Sequence, residues 1–286
     1  MDRDDIVHIA FGVDAPYLPH LAATIASIAA TAPDRALHFI VMHDGIAEAD
    51  KSRVEYGAPD ADFDWLLIED AALLALEGQD HISRATYYRL GLPELLPADI
   101  GRVLYLDCDL IVKRDIGELW DIDLDGHAIA AVYDAGADPA AFAARWGLAP
   151  APGAYLNAGV LLIDLGAVRR EGIFAAALDF LKENRAELKF MDQDALNYVL
   201  WRKWLVLDPE WNVQRAMLFE GWSRQVPASM LPQGQPAIVH YTGDQKPWIR
   251  GAYHPYAWLY WQALARTPYR RQVSEATGLS MGRRIR

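Results

Sequence analysis

Asp107-Cys108-Asp109 is the segment with the clearest chemical potential, because two carboxylates one residue apart can turn together onto one divalent cation. A cation held this way can bridge diphosphate oxygens and neutralise a departing nucleotide. The spacing alone says little, since an aspartate two residues from another occurs seven times in this sequence. Context separates this pair from the others. Only Asp107 follows an apolar strand-like run, Val103-Leu104-Tyr105-Leu106, which places the pair at the carboxyl edge of a sheet, where open α/β folds bind ligands. The alternative is a pair of solvated turn carboxylates. Cys108, between them, is expected to point into the core.

A second group lies near the C-terminus, where His240 ends the apolar run Ala237-Ile238-Val239 and is followed by Gly243 and Lys246. The group offers an imidazole ligand, a close backbone approach and an ammonium for phosphate. A lone histidine is more often structural, but with Asp107 and Asp109 it would complete a ligand set that suits manganese, and magnesium less well because of the nitrogen. Asp14 and Tyr17 follow the first strand-like run, where a base could stack on the ring and donate an imide N–H to the carboxylate; the alternative, and the commoner case, is an ordinary turn. Asp192 either serves chemistry or simply caps the helix that follows. No dinucleotide fingerprint, phosphate loop or H-E-x-x-H motif is present, so any nucleotide must be held in another way.

The elements that must position these groups alternate strand-like and helix-like runs, as in α/β units around a largely parallel sheet. Strands are expected at Ile6 to Phe11, Leu37 to Met42, Phe63 to Ile68, Arg102 to Leu106, Ile129 to Val132 and Gly159 to Ile163. Helices are expected at Leu21 to Ala30, Glu48 to Val54, Ala71 to Leu76, Ser83 to Leu92, Ile173 to Asn184 and Asp192 to Leu200. Ala135 to Pro152, rich in alanine, glycine and proline, reads as an irregular surface excursion that could serve as a mobile lid.

The chain has 286 residues, of which 52% are hydrophobic and 23% charged, the composition of an ordinary globular protein able to bury roughly three quarters of its unfolded surface. Its net charge of −12 argues against a phosphate-backbone binder, so no nucleic-acid partner is expected. One cysteine excludes an intramolecular disulfide and fits a reducing compartment. An acidic start and the lack of a long apolar run point to the cytoplasm.

The charge is unevenly spread. From Pro247 to Arg286 there are seven arginines, no lysine and one acid, so this stretch carries +6 and the rest of the chain −18. Trp248, Tyr253, Tyr256, Trp258, Tyr260, Trp261 and Tyr269 accompany those arginines, a combination suited to a peripheral contact with an anionic membrane. Helical spacing also puts Tyr253, Tyr256, Tyr260, Trp261 and Leu264 on one face, able to pack on the core. The chain is read as one α/β domain, residues 1–246, with a basic, aromatic extension at 247–286.

Six ordered segments together resemble glycosyltransferase family 8 over roughly residues 6 to 250. They are Phe11-x-x-Asp14-x-x-Tyr17; His81-Ile82-Ser83 with Tyr87 and Arg89; Val103 to Asp109; Tyr155-x-Asn157-Ala158-Gly159; Asp192-Gln193-Asp194-x-x-Asn197; and His240-Tyr241-x-Gly243-x-x-Lys246-Pro247-Trp248. Order and spacing are similar to the bacterial lipooligosaccharide galactosyltransferases and lipopolysaccharide glucosyltransferases of that family. The resemblance implies a GT-A fold, a Rossmann-like mixed sheet flanked by helices, and retaining transfer of a hexose from UDP-galactose or UDP-glucose to a saccharide acceptor with manganese. It implies that Gly12, Val13, Asp14 and Tyr17 hold uridine, that Asp107, Asp109 and His240 bind the metal, and that Gly243 and Lys246 contact the diphosphate. Arg89, Asn157, Ala158, Asp192 and Gln193 would surround the donor sugar, with Gln193 nearest the reacting carbon and Asp192 beside it. The asparagine usual before the tyrosine of the first segment is replaced by Pro16. Two rival readings are a haloacid dehalogenase-type phosphatase with Asp107 as nucleophile, and a non-catalytic sugar-nucleotide binding protein.

Overall fold

The computed structural model describes residues 6–76, 83–151, 153–219 and 227–279. Seven strands form the main sheet: β1 (Ile6–Gly12), β2 (Ala36–His43), β3 (Asp62–Leu67), β4 (Arg102–Leu106), β6 (Ile129–Tyr133), β7 (Leu156–Asp164) and β8 (Leu205–Val206). They lie in the order β3-β2-β1-β4-β7-β6-β8. β7 runs antiparallel to both β4 and β6, so the sheet is mixed, with the other pairings parallel. The central strands are apolar on both faces because helices cover the sheet: β4, β6 and β7 are buried almost throughout.

This topology decides where the chemistry sits. β1 and β4 are parallel, and β7 is antiparallel to β4, so the end of β1, the end of β4 and the start of β7 share one edge. Asp107 donates its amide to the carbonyl of Gly159 at 2.9 Å, continuing the β4–β7 ladder one step past the strand. A second sheet, β5 (Leu110–Val112), β10 (Ile238–His240) and β9 (Val213–Gln214), follows directly on this edge. Its antiparallel β5–β10 register pairs Leu110 with His240 and delivers the imidazole beside Asp109.

Helix α1 (Leu18–Thr31) carries Thr24, whose buried hydroxyl lies 2.9 Å from the carbonyl of Cys108 and 2.8 Å from that of Leu110, holding the Asp-Cys-Asp turn from behind. Cys108 is buried as expected, and its thiol donates to the carbonyl of Gly12 at 3.3 Å.

The helix expected at Ser83 to Leu92 is present as a 3-10 helix, Arg84–Gly91, capped by Ser83. Two sequence expectations, for the stretch after Ala135 and for the C-terminal aromatics, are corrected. The stretch after Ala135 contains α2 (Pro139–Trp146), capped by Asp138, opened by Pro139 and stopped by left-handed Gly147; Phe142 packs there with Tyr155 and Trp201, while Pro152 lies outside the described residues. The C-terminal aromatics do not share one helical face. Pro255 precedes the helix α5 (Ala257–Leu264), whose Tyr260, Trp261 and Leu264 are buried against the core, whereas Tyr253 is 64% exposed. Between them, α3 (Ile173–Asn184) and α4 (Met191–Val199) appear where the periodicity predicts helices. Among the described residues, no helix is long and apolar enough to cross a membrane.

Candidate active site

All the residues singled out from the sequence as site candidates line one cavity of about 500 Å³ at the shared sheet edge. Asp107, Asp109 and His240 each bring a ligand atom to within 4.8 Å of the others. Nε2 of His240 is 3.2 Å from Asp109 Oδ1 and 3.6 Å from Asp107 Oδ2.

The second oxygen of each carboxylate is occupied elsewhere. Asp109 Oδ2 receives the ammonium of Lys246, which also donates to the carbonyl of Tyr241 at 2.6 Å. Burial would raise the pKa of Asp109, but the cation of Lys246 and the imidazole of His240 overcome it and hold the carboxyl well below the usual range. Asp107 Oδ1 receives Arg89 at 3.0 Å. Each aspartate thus turns one oxygen toward the shared position while a protein cation neutralises the other. Gly159 lets the imidazole and Asp107 approach the backbone this closely, since a Cβ on it would overlap Cε1 of His240. The oxygen–oxygen–imidazole donor set, with its three atoms this close together, fits a divalent cation.

Arg89 is the hub of one wall of the cavity. The 3-10 helix buries it, its guanidinium lies 4.4 Å from the centre of the Tyr105 ring, and it reaches Asp107, Asp192 and the carbonyl of Ala158. Nε is 2.9 Å from Asp192 Oδ2, and Thr86 Oγ1 donates to Asp192 Oδ1 at 3.1 Å. Burial opposes the charge of Arg89, yet Asp192 and Asp107 keep its pKa above the ordinary value. Burial pushes Asp192 up to about 6; Arg89 works against this and Asp107 adds to it. Asp192 is therefore not the helix cap that its position suggested. Phe190 occupies that position, and Asp194 Oδ2 accepts the amides of Lys189 and Phe190 at 2.7 and 2.8 Å. The turn into this helix places Met191 at φ +43°, a strained conformation for a residue with a side chain, and delivers Asp192 and Gln193 to the cavity.

Gln193 is held at both ends of its amide. Oε1 accepts the amide of Ala158 at 2.9 Å, and Nε2 donates to Asp134 Oδ2 at 2.9 Å. Asn157 donates to the same Asp134 oxygen at 2.9 Å.

On the opposite wall, Asp14 accepts the amide of Tyr17 at 3.2 Å and the hydroxyl of Ser83 at 2.6 Å, and Val13 continues β1 by donating to Met42. Tyr17 sits edge-on to Trp248, which stacks on His20 at 3.5 Å. Gly12 packs so closely on Ala85 that a Cβ would overlap its carbonyl oxygen, and Gly243 has φ +76°, which favours glycine. The segment His81-Ile82 lies outside the described residues.

The family model for "Glycosyl transferase family 8" matches residues 8–252. The chain belongs to glycosyltransferase family 8. Its relatives include general stress protein A of Bacillus subtilis, 31% identical over 94% of this chain and 96% of that protein. The lipopolysaccharide 1,3-galactosyltransferase of Salmonella typhimurium is 30% identical over 93% of this chain and 80% of its own length. Among solved structures, the galactosyltransferase LgtC in complex with donor and acceptor sugar analogues superposes with a TM-score of 0.78 at 28% identity, covering 92% of this chain and 96% of that one. The fold is that of a GT-A glycosyltransferase, as the sequence resemblance implies, and the phosphatase alternative is set aside.

Sequence reasoning missed Asp134, Asn212 and the steric role of Gly159. Asp134 follows β6 as Asp107 follows β4, and the same strand-end argument could have found it. Asn212, buried on the 3-10 turn before β9, carries no comparable signal.

Proposed function

We propose that this family 8 enzyme is a retaining hexosyltransferase that moves galactose or glucose from a UDP-sugar to a saccharide acceptor, with manganese as the preferred cation and magnesium as a weaker substitute. The observation that carries this reading is the convergence on one cavity of Asp14 and Tyr17, the Asp107/Asp109/His240 triad, and the fixed side chains of Arg89, Asp192 and Gln193.

Cleaving the sugar–phosphate bond develops positive charge on the ring and negative charge on the departing UDP. When bound, the cation would neutralise charge on the diphosphate. Lys246 and the backbone at Gly243 line the same side of the cavity and are assigned to the phosphates. Uridine is assigned to Gly12, Val13, Asp14 and Tyr17, and the donor sugar to Arg89, Asn157, Ala158, Asp192 and Gln193. Retention through two displacements needs a free nucleophile near the anomeric carbon. Neither candidate fits: Gln193 is an amide with both ends engaged, and the oxygens of Asp192 face Thr86 and Arg89. These contacts favour same-face attack by the acceptor, with the departing phosphate taking its proton and Gln193 giving electrostatic support. A covalent sugar adduct on either residue would contradict that route.

A second cavity of about 740 Å³, lined by Tyr133, Tyr155 and Met230 among others, meets the first at Asp134, Gly136 and Ala216. We assign the acceptor to it. The names of the relatives favour a lipopolysaccharide or other envelope glycan as that acceptor, handled on the cytoplasmic side of the membrane. Exposed Arg250, Arg266, Arg270 and Arg271, with exposed Ile249, Tyr253 and Trp258, would give the peripheral contact with anionic lipid; Arg283, Arg284 and Arg286 lie outside the described residues. Incubation with a panel of UDP-sugars and manganese tests the reaction class. UDP release that fails in Asp109→Asn is expected. Binding without release would indicate a non-catalytic module, and release of phosphate from simple monoesters would contradict the reading.

A further inference from the structure

A chain of buried amides joins the His240 imidazole to the carboxylate that holds Gln193. Asp134 Oδ2, as a carboxylate oxygen, can only accept, and it takes Nδ2 of Asn157 and Nε2 of Gln193, each at 2.9 Å. The amide of Asn157 is therefore oriented. Its Oδ1 accepts the N–H of Gly159 at 3.1 Å and Nδ2 of Asn212 at 2.8 Å. Asn212 has no exposed surface, so it has no water to fall back on and must turn Oδ1 the other way, to Nδ1 of His240 at 3.0 Å.

Flipping either amide would set oxygen against oxygen or N–H against N–H. An amide oxygen has no proton to give, so the proton in the Asn212–His240 bond sits on Nδ1. Nε2 of the neutral ring is then the nitrogen with a free lone pair, and Nε2 is the atom that faces Asp107 and Asp109.

We propose that Asn212, oriented through Asn157 by Asp134, is a positioning residue that fixes His240 in its Nδ1–H tautomer and so presents Nε2 to the divalent cation. This rests on the reading of Asp107, Asp109 and His240 as metal ligands. The same carboxylate orients the ligand side and, through Gln193, the sugar side. Partners behind a metal-binding histidine typically change metal affinity by about 10–100-fold when removed.

Two measurements test the proposal. Titration of Mn²⁺ followed by electron paramagnetic resonance is expected to show about tenfold weaker binding in Asn212→Ala than in the wild type. Equal affinity in a folded Asn212→Ala overturns the proposal while leaving the metal reading intact; a wild-type protein that binds no Mn²⁺ contradicts the metal reading itself, and this inference with it. The second measurement needs no variant at position 212. In cadmium-loaded wild-type protein labelled with ¹⁵N at histidine, the His240 resonances, assigned by their loss in His240→Gln, are expected to show a protonated Nδ1 and a metal-bound Nε2. A metal-bound Nδ1, or a protonated Nε2, overturns it.

Discussion

Gly159 faces His240 with nothing between them: a Cβ on Gly159 would overlap Cε1 of the imidazole and stand 2.6 Å from Asp107 Oδ2. The main sheet supplies Gly159 and Asp107 through the β4–β7 ladder, and the small sheet supplies His240, so this contact is where the two sheets meet. Gly159→Ala is expected to cost about 1–3 kcal/mol of stability through overpacking, and to weaken Mn²⁺ binding at least tenfold. Urea unfolding and calorimetric Mn²⁺ titration check the two effects; an alanine variant with wild-type Mn²⁺ affinity would show that the triad does not hold the cation.

Arg89 is the only guanidinium in contact with both Asp107 and Asp192 among the described ion pairs. Arg89→Met leaves those two carboxylates without their shared counter-charge, and a loss of about 3–5 kcal/mol is expected. Adding Asp192→Asn to Arg89→Met should recover part of the loss, because one of the uncompensated charges is removed. Urea denaturation of the wild type, both single variants and the double variant measures the coupling. A loss below 1 kcal/mol in Arg89→Met would contradict the hub role.

Acid is expected to destabilise the fold. Burial depresses His20 and His254 from 6.5 to about 3, so the unfolded chain takes up protons below pH 6.5 that the folded chain refuses until about pH 3. At pH 5 each histidine then removes about 2 kcal/mol relative to pH 7. Asp192 acts in the opposite sense: folded it protonates near 6, unfolded only near 3.8, which returns about 1 kcal/mol over the same interval. Denaturant unfolding at the two pH values should therefore show stability lower by about 3 kcal/mol at pH 5. Equal or greater stability at pH 5 would contradict the assignment of neutral buried imidazoles.

The C-terminal segment is expected to touch membrane through its exposed residues alone. Tyr260, Trp261 and Tyr269 are buried, with Arg53 stacked 3.9 Å from the Tyr269 ring, and substituting them would test the fold instead. Changing Ile249 and Trp258 together to serine should weaken binding to vesicles containing phosphatidylserine by about fivefold or more, through lost apolar burial. Binding should also fall with added salt. Flotation that is unchanged by both manipulations would contradict a peripheral contact.

Asp107 was legible in the sequence because a run of four apolar residues announces the strand that ends on it. His240 was legible for the same reason. Asn212 was not, since its place beside His240 depends on the pairing of a two-residue strand, β9, with β10, and no periodicity marks so short a strand. The α2 helix carries standard helix punctuation in its Asp138 cap, Pro139 and Gly147, but the alanine, glycine and proline content of the stretch around it is that of a loop. Tyr253 falls on the buried face only if the helix runs through Pro255, which interrupts it.

The most direct test of the central claim is real-time proton NMR of UDP-galactose and UDP-glucose incubated with the enzyme, Mn²⁺ and a saccharide acceptor. The account expects one of the two donors to be consumed, the transferred hexose to keep the α configuration of the donor, and consumption to fall at least a hundredfold in Asp109→Asn. A β-linked product, or donor turnover undiminished in Asp109→Asn, would contradict it.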